Sequence, residues 1–345
     1  MQMRLNRVQK KRSSMSTTTL KPWKKTSRAA ACGLATVLGT LSASAATTAW
    51  WRFEEGPANA NVARNGQPDG TFYGAVADSS GNGYSLSTWS DGSYAGYVYR
   101  SSVGASTLPL NGAANNYSVK NTGGYPAMWS ETGSGLQTWS PSAWTIEATF
   151  KLENGGYRTI VGRDSRGSAT VNGDLAAMYL QAMPNNALAI KFSDVSGYWH
   201  EAVSANNAFT SFDYPTDNDG NLAPWYSMAA VSDGSTLSLY LRNLTSLSGW
   251  NLIAQSDLTA SGSPNTALSA GTGDGGDWDA GNFTVGRGLY GGGHGDRAWG
   301  FIDEVRLSDT ALSVNDLVMV PEPTTTTLIG LGLGAVILRR RQNRG

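Results

Sequence analysis

The sequence has 345 residues, 40% of them hydrophobic, with 26 basic and 26 acidic side chains and one cysteine, which excludes a disulfide framework. Nine basic residues and no acid lie in residues 1–45, and four more basic residues close the chain, so residues 46–320 carry 13 basic against 25 acidic side chains, a net charge of −12. An acidic body argues against nucleic acid and anionic membranes as partners and is compatible with divalent cations and neutral glycans.

The first segment reads as an address. Basic residues run from Arg4 to Arg28, an apolar small-residue stretch follows from Ala29 to Leu41, and Ala43-Ser44-Ala45 offers an Ala-x-Ala site for signal peptidase. Residues 1–45 are therefore expected to be a signal peptide, with Met1 and Met15 both available as starts. Cleavage near Ala45 removes Cys32 and leaves a mature chain without cysteine, suited to an oxidising compartment.

Residues 46–319 have the length of one all-β domain. Gly, Ser, Asn and Thr are spread evenly, and long amphipathic helical patterns are absent. Short alternating or apolar runs predict strands over Thr145–Phe150, Ala187–Phe192, Trp225–Val231, Thr236–Leu241 and Asn282–Val285. Asp233-Gly234 between two of these runs predicts a hairpin. The stretch from Tyr84 to Pro141 is rich in Gly, Ser, Tyr and Trp and reads as strands carrying a long insertion.

Few residues in this body suit catalysis. The mature chain has two histidines, His200 and His294, and no Gly-x-Ser-x-Gly or His-Glu-x-x-His motif. Glu147 stands alone on its strand and reads as a surface carboxylate, whereas glycosidases place paired acids across a cleft. Tyr198-Trp199-His200-Glu201 holds parts of a lyase site without a partner strand. Asp217 to Asn221 lacks the closing glutamate of a calcium loop, and Asp274, Asp277 and Asp279 read as a hydrated loop. The aromatics are more suggestive. Trp89, Tyr94, Tyr97, Tyr99, Tyr125, Trp129 and Trp139 lie in Gly- and Ser-rich segments that cannot all be core, and Trp199, Trp278, Tyr290 and Trp299 sit in or beside loops. Tryptophan and tyrosine stack on sugar faces. Trp129 and Trp139 are the ligand-contacting candidates.

The tail is another address. Pro321-Glu322-Pro323 is a stiff, non-helical stretch, followed by four threonines, an apolar run from Leu328 to Leu338, and Arg339-Arg340-Arg341. Eleven apolar residues fall short of the roughly 20 that a spanning helix needs, and the arginines act as a cytoplasmic stop. Residues 320–345 resemble the PEP-CTERM sorting signal. That resemblance implies a short hydrophobic transmembrane helix, transient anchoring in the inner membrane of a Gram-negative, exopolysaccharide-producing bacterium, processing by an exosortase, and delivery to the cell surface or matrix.

A second resemblance lies in the body. Trp50-Trp51-Arg52-Phe53-Glu54-Glu55-Gly56, then Asp78-Ser79-Ser80-Gly81-Asn82-Gly83, resembles the opening of a LamG-like, concanavalin A-like domain. Gly300-Phe301-Ile302-Asp303-Glu304-Val305-Arg306-Leu307-Ser308 resembles its closing strand. The resemblance implies an all-β fold, a two-sheet antiparallel jelly-roll sandwich with first and last strands paired. It also implies one structural Ca2+ where those strands meet, with Glu54, Asp78 and Asp303 as ligands; a plain turn capped by Asp78 is the alternative. Alternation would set Asp303 on the side of Val305 and Leu307. Together these features predict an exported, non-catalytic module that binds exopolysaccharide, another surface glycan or a protein. A jelly-roll polysaccharide hydrolase or lyase and a purely structural matrix component are the alternatives.

Overall fold

The computed structural model describes residues 47–62, 75–90, 96–153, 156–166, 175–213, 216, 219–246, 248–271, 281–291 and 293–320. The signal-peptide site at Ala43 and Ala45 and the motif residues Pro321, Glu322, Pro323 and Arg339 to Arg341 lie outside them, as does the apolar run expected to form a helix. None of the described helices is long and apolar enough to cross a membrane.

The chain forms the expected all-β sandwich. The first strands are β1 (Thr47–Trp51), β2 (Leu86–Trp89), β3 (Tyr97–Arg100), β4 (Ser118–Asn121), β5 (Ala127–Ser130) and β6 (Trp144–Leu152). Next come β7 (Arg158–Arg166), β8 (Ala176–Met183), β9 (Ala187–Ser193), β10 (Trp199–Val203), β11 (Tyr226–Ser232) and β12 (Thr236–Asn243). The last are β13 (Asn251–Asp257), β14 (Asn282–Val285), β15 (Gly288–Tyr290), β16 (Gly293–Gly295) and β17 (Gly300–Ser308).

The larger sheet runs β13-β12-β11-β6-β17-β4-β3, with β1 also paired to β17, and the smaller runs β10-β9-β8-β7-β14-β5-β2. The stretch read as strands with an insertion supplies β2 and β5 to the smaller sheet and β3 and β4 to the larger. Tyr97 and Tyr99, expected to be partly free, are 3% exposed each and belong to the core.

Inward-facing residues of the two sheets meet in one apolar core. Trp144 of the larger sheet meets Phe192 of the smaller edge to face, with ring centres 5.3 Å apart. Such a pair adds about 0.5–1.5 kcal/mol beyond its buried area. The Asp233-Gly234 hairpin forms as its residues dictate. Gly234 takes φ +89°, and Asp233 Oδ1 accepts from the amides of Ser235 at 2.8 Å and Thr236 at 2.7 Å, so β11 and β12 pair in register from Ser232 and Leu237.

The closing strand departs from simple alternation. Ile302, Val305 and Leu307 all reach the core, so two residues lie between the first pair of inward positions. The register against β6 shifts between Asp303 and Arg306, and Glu304 takes φ +46°. This bulge gives Ile302, rather than Asp303, the inward place.

The outer faces differ. Segments 101–115 and 309–320 cover the larger sheet, where Leu108, Val318 and Met319 pack with Trp225 and Phe301. Glu147, expected at the surface, is only 1% exposed under this cover. It accepts from Arg306 Nε at 2.6 Å and from the Val318 amide at 2.8 Å. Burial raises its pKa against the lowering pull of Arg306. Arg242 and Trp250 both donate to the Met319 carbonyl, so the fold holds its C-terminal segment up to the start of the tail.

Candidate functional site

The outer face of the smaller sheet is the more open one. On β8, Met178, Leu180 and Ala182 point into the core, so Tyr179 and Gln181 point out. On β9, Ile190 and Phe192 point in and Lys191 points out. On β10 the same alternation sends His200 inward and leaves Trp199 and Glu201 outward. His200 is 5% exposed and bonds Asp194 at 2.8 Å through Nε2. The Tyr198-to-Glu201 stretch therefore presents no histidine to a ligand.

A short hairpin, β15–β16, lies across this face. Its approach depends on two glycines. A Cβ on Gly162 would sit 2.8 Å from Thr284 Oγ1 and 2.9 Å from the Arg287 carbonyl, and one on Gly288 would sit 2.6 Å from Thr159 Oγ1. The Tyr179 hydroxyl donates to the Leu289 carbonyl and accepts from the Ala176 amide. Arg287 holds the other side, donating to Asp164 and, at 2.8 Å, to His294 Nδ1. Burial, reinforced by Arg287 and Arg297, pushes the His294 pKa down to about 3, so its ring is neutral and accepts this bond.

Between hairpin and strands lies a cavity of about 280 Å³. Tyr179, Gln181, Lys191 and Trp199 line it from the sheet, with Tyr157, Leu175, Tyr290 and Asp296 around them. Tyr157 and Tyr290 are 45% and 59% exposed. The Tyr179 and Trp199 rings meet at 6.3 Å. Lys191 is held at 3.1 Å by Glu201, its neighbour in register. Burial raises the Asp296 carboxyl, and Arg158 lowers it. The cavity thus combines flat apolar rings with a few fixed donors and acceptors, the composition of a small-ligand site.

The sequence candidates fall elsewhere. Trp139 packs against the core and meets Phe283 edge to face at 5.7 Å, so it seals the sandwich rather than lining a groove. Trp129 lies half-buried on β5, with the Arg287 guanidinium 5.8 Å above its ring. Trp199 and Tyr290, noted only as loop-side aromatics, are the ones brought together.

The expected calcium ligands do not converge. Asp78 accepts four bonds: Trp50 N at 2.9 Å and Ser80 N at 2.8 Å on Oδ1, Ser80 Oγ at 2.8 Å and Tyr84 N at 2.9 Å on Oδ2. Glu54 accepts from Asn116 N at 2.7 Å, Asn116 Nδ2 at 2.8 Å and Tyr117 N at 3.0 Å. Asp303 Oδ2 accepts from Asn115 Nδ2 at 2.9 Å. That leaves Asp303 Oδ1 and Asn115 Oδ1 as buried oxygens without a hydrogen-bond partner, against the six to eight that calcium takes. Among the described residues no three His, Cys, Asp or Glu side chains form a metal-holding group. Asp78 instead caps its own turn.

The PEP-CTERM protein-sorting motif matches residues 320–342. The motif marks an exported, exosortase-sorted protein. No curated protein matches the chain significantly. Solved structures with similar folds include domain 4 of the extracellular arabinanase AbnA from Geobacillus stearothermophilus, in complex with arabinotriose. It is 12% identical with a TM-score of 0.44, and the match covers 78% of this chain and 95% of that one. Another is the CBM40 domain of the Ruminococcus gnavus IT-sialidase bound to α2,6 sialyllactose, 15% identical with a TM-score of 0.37, over 54% of this chain and 85% of that one. The assignment as a jelly-roll sandwich rests on the sheet order itself.

Proposed function

We propose that this protein is a non-catalytic carbohydrate-binding module displayed at the cell surface or in the extracellular matrix, and that it binds a neutral glycan in the cavity under the β15–β16 hairpin. In this reading the run Leu328–Leu338 anchors the chain in the inner membrane only until an exosortase removes it. The observation that carries the proposal is the cavity's make-up. Tyr157, Trp199 and Tyr290 offer stacking faces, while Gln181, Lys191 and Asp296 offer hydrogen bonds to hydroxyls.

Neutrality follows from charge. Residues 46–320 carry a net charge of −12, Asp296 faces the cavity, and Lys191 is already paired with Glu201. An anionic sugar would meet repulsion, and the cation among the described residues lining the cavity, Lys191, is already engaged. Asp296 is the only carboxylate among the described residues lining this cavity, whereas glycoside hydrolysis uses two, which supports binding over cleavage.

The test is retention of the exported protein on immobilised β-glucan, xylan and mannan, with alginate as the anionic control. At least one neutral polymer should be retained and alginate should not. Tyr290→Ala and Trp199→Ala should both weaken retention. Release of reducing ends or unsaturated products by the wild type would overturn the non-catalytic reading.

A further inference from the structure

The described residues enclose a second cavity, of about 470 Å³, with Lys120, Glu153, Phe212 and Trp299 in its lining. It opens on the other side of the sandwich. Val119 and Ile302 point into the core, so Lys120 and Phe301 point to the outer face of the larger sheet. There the Lys120 ammonium lies 5.2 Å from the Phe301 ring centre, and Phe212 packs on that ring at 6.3 Å. Packed sheets lie about 10 Å apart, so the two cavities face away from each other across the sandwich.

One wall separates them. Glu153, just after β6, lines one cavity and Tyr157, just before β7, the other; the segment before β17 contributes Trp299 and Asp296. Backbone bonds hold the wall together: Glu153 N to the Trp299 carbonyl at 2.9 Å, and Thr159 N to the Asp296 carbonyl at 2.6 Å. Both cavity carboxyls are raised by burial and lowered by the same Arg158.

The chemistry repeats from side to side. The first cavity sets Lys191, Asp296 and the Trp199 indole together. The second sets Lys120, Glu153 and the Trp299 indole together. Lys120 is also partnered, by Asp219 at 3.3 Å. Each set supplies a donor, an acceptor and a flat ring, with its cation already neutralised.

We propose that the second cavity is a second neutral-glycan site and that the domain cross-links two polysaccharide chains. The proposal rests on the reading of the first cavity given above. One stiff chain cannot enter sites on opposite faces of a sandwich, whereas two chains can. Bivalent binding then converts a carbohydrate-binding module into a junction of a polysaccharide network.

The experiment uses the exported protein with whichever of β-glucan, xylan or mannan it retains, and with a short oligosaccharide of that polymer. Titration calorimetry should count two oligosaccharides per chain, and polymer mixtures should scatter light as a network forms. Trp299→Ala should reduce the count to one, abolish scattering and leave retention on the immobilised polymer within about threefold of wild type. Glu153→Gln, which keeps size and fold, should weaken the second binding step at least fivefold. A wild-type count of one, or scattering that survives in both variants, would overturn the cross-linking proposal while leaving the first cavity's role intact. Failure of the wild type to retain on any neutral polymer would instead remove the reading on which the proposal rests.

Discussion

The two outer faces of this sandwich are built from the same kind of strand and end up with opposite characters. Over the larger sheet, Glu147, Arg306, Trp225 and Phe301 are buried beneath residues 101–115 and 309–320. Over the smaller sheet, Lys191, Trp199 and Tyr290 keep contact with solvent around a cavity. The difference arises from what crosses each face. Two long apolar segments seal one, and a three-residue-a-side hairpin, spaced by Gly162 and Gly288, stands over the other. A charged side chain beneath the cover serves the fold, while one beside a cavity, Lys191 on the smaller sheet or Lys120 at the margin of the larger, is available to a ligand.

The sharpest way to break this comparison is to remove one charge from each face. Glu147→Ala would leave Arg306 buried and without its carboxylate, at a cost of about 3–5 kcal/mol in denaturant-unfolding free energy. Lys191→Ala deletes a partly exposed pair with Glu201 and should cost under about 1 kcal/mol. Equal losses would mean that the faces do not differ as described.

The hairpin offers a smaller, pH-dependent effect. The folded His294 pKa is lowered from 6.5 to about 3, so the unfolded chain binds the proton more readily. The stability from neutral His294 is fully present above about pH 6.5 and is lost as pH falls towards 3. The slope is at most about 1.4 kcal/mol per pH unit and less for a half-buried ring. His294→Gln should flatten this part of the stability-against-pH curve, read from thermal melts between pH 7 and pH 4. Identical slopes in both proteins would show that the hairpin does not hold the ring neutral.

The smallest expected effect concerns calcium. With the oxygens of Asp78 and Glu54 engaged by protein donors, EDTA should leave the melting temperature unchanged. A fall of several degrees, restored by Ca2+, would restore the ion to the meeting of first and last strands.

The sequence made the sandwich legible and left most of the site hidden. Alternation over Thr145–Phe150 and Ala187–Phe192 located β6 and β9, and Asp233-Gly234 set the β11–β12 register, because these are local properties of short segments. The tail was legible because proline, an apolar run and arginines follow one another along the chain. Glu147 was misread because its burial depends on Val318 and Arg306, more than 150 residues away. Asp303 was set on the wrong side because the bulge at Glu304 interrupts alternation without a glycine or proline to announce it. The cavity joins Tyr157, Tyr179, Lys191, Trp199, Tyr290 and Asp296 from five separate stretches. Trp199 and Tyr290 could be noted one at a time, but only the closed topology shows that they share a site.

The measurement that bears most directly on the account is the affinity of the exported protein for the neutral polysaccharide it retains, compared across Tyr290→Ala and Trp199→Ala. Loss of a stacked aromatic is worth roughly 1–2 kcal/mol, so each variant should bind about 5- to 30-fold more weakly, with an unchanged melting temperature and no gain in alginate binding. Wild-type affinity in both variants would contradict the claim that the cavity on the smaller sheet holds a glycan.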